Sequence, residues 1–73
     1  MPTNDLPEPT PGQVLAEKRK AAGFSQQAVA DRIGVHRLTL TRKDGWEHSP
    51  QLPSVKVARY LRALDELADQ VLA

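Results

Sequence analysis

The sequence predicts an all-α fold of four to five short helices, and three observations predict it. Apolar residues recur at three- and four-residue steps through several stretches, the period of one helix face. Start and stop signals punctuate those stretches: Thr10 and Ser25 as hydroxyl N-caps, Gly23 and Gly34 as terminators. After Pro53 the chain runs to its end with neither Gly nor Pro. With 73 residues and 40% apolar content there is material for one small domain, which buries a modest fraction of its surface and gains from a partner subunit.

Residues 1–9 hold Pro2, Pro7, Pro9 and two acids with little apolar content, so they read as a disordered acidic tail ahead of a domain over 10–73. The first helix starts at Thr10, with Pro11 in its first position and Gln13 completing a capping box, and it stops at Gly23. Val14, Leu15, Ala22 and Phe24 supply core, while Lys18 and Lys20 face solvent or phosphate. Arg19 falls in the apolar sector, where a lone charge is costly unless paired.

Ser25 to Asp44 is the centre of the chain. A helix opening at Ser25 puts Val29, Ala30 and Ile33 on one face and ends at Gly34. After a Gly34-Val35-His36 elbow a second helix begins, with His36 as N-cap, Leu40 inward, and Arg37, Thr39, Thr41, Arg42 and Lys43 on the other faces, closed by Gly45. Trp46 follows in a Gly- and Pro-flanked turn. It is expected to pack over the junction with the next helix, the alternative being an exposed contact to a partner. From Pro53, in the first turn, a long amphipathic helix of up to about 20 residues is expected, or two helices bent near Leu64-Asp65. Its stripe of Leu64, Leu67, Ala68 and Val71 exceeds what a four-helix domain needs. It therefore folds back as a fifth helix or pairs with a second copy.

Two short helices across such an elbow form a helix-turn-helix, and a helix of this kind fits the B-DNA major groove. Arg37 and Arg42 offer guanidinium forks to guanine, Thr39 and Thr41 offer hydroxyls, and Lys18, Lys20, Lys43 and Gln26 suit phosphates. The charge distribution agrees. The net charge is only +1, but the segment from Glu17 to Arg62 holds all ten Lys and Arg with four acids, and the other five acids lie towards the ends.

From about Val14 to Leu64 the chain resembles the XRE-like family of phage repressor/Cro type regulators, a lambda-repressor-like fold. The likeness rests on Ser25-Gln26, Val29-Ala30, Ile33-Gly34-Val35, Leu40, Asp44 and Ser49-Pro50-Gln51-Leu52. It implies that Gln26 sits against a phosphate and that Arg37, Leu38, Thr41 and Arg42 read bases. It also implies a structural ion pair between Arg19 and Asp44. Three places depart from the pattern. Lys43 stands where an aromatic or aliphatic residue precedes the acid, Trp46 replaces the glycine two places after it, and extra residues follow Pro50.

The resulting expectation is a bacterial or phage transcription regulator, a repressor acting as a dimer on double-stranded DNA in the cytoplasm. No cysteine, metal-ligand spacing or catalytic constellation is present in the sequence, so neither an enzyme nor a cofactor is expected. No signal peptide or membrane span is expected either. The alternative is a protein of the same fold that sequesters a protein partner, as an antiactivator or in antitoxin fashion, through Trp46 and the C-terminal stripe.

Overall fold

The computed structural model describes residues 8–72. These form four helices in the order α1 (Pro11–Ala22), α2 (Gln26–Ile33), α3 (Arg37–Thr41) and α4 (Ser54–Leu72), with no strand among the described residues. Most of the acidic tail expected over 1–9 lies outside the described residues.

Local chemistry sets the first two helices. The Thr10 hydroxyl accepts from the Gln13 backbone N–H at 3.2 Å, and the Gln13 side chain accepts from the Thr10 N–H at 3.0 Å, so the capping box closes as expected. Ser25 Oγ accepts from the Ala28 N–H at 3.0 Å. α2 then ends at Gly34, whose φ of 92° lies in the left-handed region that a side chain would disfavour. That residue makes the elbow possible.

α3 is shorter than expected. It stops at Thr41, and Arg42, Lys43 and Asp44 form a turn outside it. The cause is long-range. The Trp46 and Glu47 N–H groups donate to the Thr39 and Leu40 carbonyls at 3.1 and 3.2 Å, taking up acceptors that continuing the helix would have used. Gly45 makes this possible, because a Cβ there would stand 2.6 Å from the Leu40 carbonyl oxygen. The chain thus doubles back over the end of α3 and carries Trp46 and Glu47 inward.

α4 is one continuous helix of 19 residues rather than two. Pro53 precedes it and accepts at its carbonyl from the Lys56 and Val57 N–H groups, so the proline sits at the cap and not in the first turn. The core gathers Leu15 from α1, Val29 and Ala30 from α2, Leu40 from α3, Trp46 from the turn, and Tyr60, Ala63 and Leu64 from α4. α4 therefore braces α1 and α2 through its first two-thirds, and α3 packs on α2. Its last turn runs past them, leaving Val71 72% exposed.

Candidate nucleic-acid interface

What fixes α3 in space is a buried polar cluster centred on Glu47, which is only 2% exposed. Arg19 of α1 donates from Nε to Glu47 Oε2 at 2.8 Å and from Nη2 to Oε1 at 3.3 Å. Its Nη1 donates to the Phe24 carbonyl at 2.9 Å, just beyond the end of α1. Gln26, at the start of α2, donates from Nε2 to Glu47 Oε1 at 3.0 Å, and the Tyr60 hydroxyl of α4 donates to Oε2. One carboxylate thereby ties α1, α2 and α4 to the turn that follows α3. Burial pushes the Glu47 carboxyl towards its neutral form, but the hydrogen bonds from Arg19, Gln26 and Tyr60 outweigh it and hold its pKa below the ordinary value. Burial and the neighbouring carboxylate raise the Tyr60 phenol. Among the described residues no buried side-chain nitrogen or oxygen lacks a partner.

The partner of Arg19 is therefore Glu47, and the expected Arg19–Asp44 pair does not form. Asp44 is exposed and lies 3.3 Å from Arg42 instead. The physical reason is depth. Arg19 is buried, and the chain reaches it only after the reversal at Gly45, three positions beyond Asp44. The departures from the family pattern had signalled this. The resemblance implies an aromatic or aliphatic residue immediately before the acid, and Trp46-Glu47 supplies such a pair three positions after Lys43-Asp44.

Trp46 is core, 6% exposed, with the Lys56 ammonium 5.6 Å and the Arg59 guanidinium 6.0 Å from its ring centroid. Leu64 is core as well. Neither can serve as the partner surface the sequence suggested. Of that stripe, Leu67 and Ala68 are half-buried and Val71 is exposed. Ala68, Val71 and Leu72 line a shallow apolar groove of about 460 Å³ with Ala22, Gly23 and Phe24.

The outward side of the helix-turn-helix carries the remaining candidates. His36 caps α3, its Nδ1 accepting from the Leu38 N–H at 3.1 Å. Arg37 and Leu38 are exposed in the first turn and Thr41 is half-buried at the end. At about 100° per residue these three span a sector of roughly 100°, in which Leu38 stands nearly opposite buried Leu40, Thr41 to the side, and Arg37 about 60° from Leu40. Arg42 and Lys43 are exposed but belong to the turn, not the helix. Thr39 is half-buried, with its carbonyl bound to the Trp46 N–H. Lys18 and Lys20 are exposed on α1, Lys20 3.8 Å from Glu17. Gln26 is half-buried and commits one amide hydrogen to Glu47, so it is first of all part of the internal cluster. Sequence reasoning missed Glu47 and Tyr60; the aromatic-acid pair was the signal for the first.

Two short helices held across a left-handed glycine elbow, with the second fixed from behind and basic on its open side, define a helix-turn-helix DNA-binding protein. The family model described as helix-turn-helix matches residues 15–62, from within α1 to within α4, and the chain belongs to that family, of the XRE type. Comparison with curated proteins and with solved structures gives no match. Among the described residues there is no group of three metal-ligating side chains, and no helix is long and apolar enough to cross a membrane.

Proposed function

We propose that this protein is a sequence-specific regulator of transcription that binds double-stranded DNA with α3 in the major groove and acts as a dimeric repressor in the cytoplasm of a bacterium or on behalf of a phage. The observation that carries this reading is the open sector of α3, where Arg37, Leu38 and Thr41 stand outward while the Glu47 cluster holds the helix from inside. Arg37 reads a base bidentately, and Arg42 reaches a second one from the turn just past the helix. Leu38 and Thr41 complete the base-reading set. Lys18, Lys20, Lys43 and Thr39 hold phosphates, joined by the second amide hydrogen of Gln26.

Dimerisation is supported by the last turn of α4, whose exposed Val71 and Leu72 border the apolar groove. The competing reading, capture of a protein partner in antiactivator or antitoxin fashion, would use the same groove. It has lost Trp46 and Leu64 to the core and so has less surface than the sequence suggested.

A fluorescence-anisotropy titration tests the reading. DNA from the region upstream of the coding sequence is compared with scrambled DNA at two salt concentrations. A preference of about 10³-fold or more, with affinity falling steeply as salt rises, supports the regulator. Arg37→Ala should then lose about 1–3 kcal/mol on the preferred sequence and much less on scrambled DNA. Weak binding indifferent to sequence would transfer the assignment to the protein-partner reading.

A further inference from the structure

Leu38 has no structural task. It stands 54% exposed in the first turn of α3, while the inward position of that helix is filled by Leu40. It is absent from the core and from the half-buried apolar residues packed against it. The other exposed large apolar side chains among the described residues belong to α1 and α4, so Leu38 is the one that lies within the helix-turn-helix. Its isobutyl group projects beside Arg37 and one turn before Thr41, in the sector assigned above to base reading.

In the major groove nearly every exposed base-edge atom is a hydrogen-bond donor or acceptor, and the apolar exception is the C5-methyl group of thymine. A leucine pressed against a bare polar edge would strip water from it and return no hydrogen bond, an uncompensated cost. Against a methyl group the same side chain gains apolar burial. We propose that Leu38 is a specificity-determining residue that recognises the C5-methyl group of a pyrimidine, on thymine or on 5-methylcytosine. Arg37 alongside then supplies the hydrogen-bonded part of the readout. This inference rests on the DNA-reading role of α3 proposed above.

The test starts from a duplex selected by the full-length protein out of a random-sequence library. Each thymine of the selected duplex is replaced in turn by deoxyuridine, which deletes the methyl group and nothing else. Binding is measured by anisotropy with wild type and with Leu38→Ala. At one or more thymines the wild type should bind the uracil duplex about fourfold more weakly, the value of one buried methyl group. Leu38→Ala should bind the thymine duplex several-fold more weakly and should not distinguish thymine from uracil there. Cytosine and 5-methylcytosine at the same position separate the sources. Recovery with 5-methylcytosine alone makes the methyl group itself the signal, and no recovery makes thymine the sole source.

If uracil is tolerated everywhere by the wild type, or if Leu38→Ala keeps the full thymine preference, the inference is overturned while sequence-specific binding stands. Failure of the library to yield any preferred sequence overturns the DNA-reading function and this inference together. Exposure of Leu38 makes the variant safe for folding, and the thymine-to-uracil comparison on the wild type needs no mutation at all.

Discussion

A carboxylate taken out of water is costly unless donors fill its lone pairs, and Glu47 receives four: two from Arg19, one from Gln26 and one from Tyr60. Glu47→Gln leaves Arg19 buried without its counter-charge, so urea denaturation should show a loss of about 3–5 kcal/mol. Asp44→Asn, at the exposed acid the family pattern pointed to, should change stability by no more than about 0.5 kcal/mol. Equal losses in the two variants would contradict the cluster. The same residues set the pH range. The Glu47 carboxyl is lowered in the folded protein, so its contribution is complete above the unfolded value of 4.5 and is lost as pH falls through the lower folded value. The Tyr60 phenol is raised, so its contribution is complete below the unfolded value of 10.0 and is lost as pH climbs above it. Glu66, half-buried and held by Arg32 at 2.8 Å, shifts in the same direction as Glu47. Denaturation midpoints across pH should therefore form a plateau that falls at both ends. In Tyr60→Phe the alkaline fall should shrink while the acid one persists.

Among the elements, those with local causes were legible and those with distant causes were not. The capping box at Thr10, the Ser25 cap and the Gly34 terminator each involve groups within a few residues, so sequence spacing found α1 and α2 with their ends. The end of α3 depends on Trp46 and Glu47 returning to bond Thr39 and Leu40, a contact across a seven-residue reversal that no local propensity encodes. Reading the helix on to Gly45 placed Asp44 in the acid's slot and left Arg19 with the wrong partner. The outward residues of the interface were legible for local reasons: exposure of Leu38 follows from helix periodicity once Leu40 is inward, and that of Arg37 from its charge and its place at the first position of α3. Burial of Gln26 against Glu47 was not, because the acid that claims it had not been identified. Gly45→Ala tests the reversal directly. Its Cβ would press on backbone, which cannot rotate away, so the variant should lose about 1–3 kcal/mol or more. His36→Ala, which removes the α3 cap, should cost about 0.5–2 kcal/mol and be felt at α3 first. Amide hydrogen exchange would read both effects helix by helix.

For the molecule as a whole, the two sides of α3 do separable work. The inner side sets how much of the chain is folded, and the outer side sets what the folded chain prefers. A domain of this size holds only a few kcal/mol in reserve, so the loss from Glu47→Gln leaves a substantial fraction unfolded. Apparent DNA affinity then drops by the folded fraction, which is the same factor for preferred and scrambled sequences. DNA itself should restore the fold: at 100 times the dissociation constant it adds about 2.7 kcal/mol, and the melting temperature should climb on the order of 10 °C. Arg37→Ala should behave in the reverse way, with unchanged melting temperature and reduced preference between sequences. The check is to measure, for both variants, thermal stability with and without DNA together with the ratio of affinities for the two sequences. A change of that ratio in Glu47→Gln would mean that the cluster tilts α3 rather than merely holding it, because loss of folded protein alone cannot alter a ratio. In that case the buried carboxylate would control specificity as well as stability, through the angle at which Arg37 and Leu38 meet the groove.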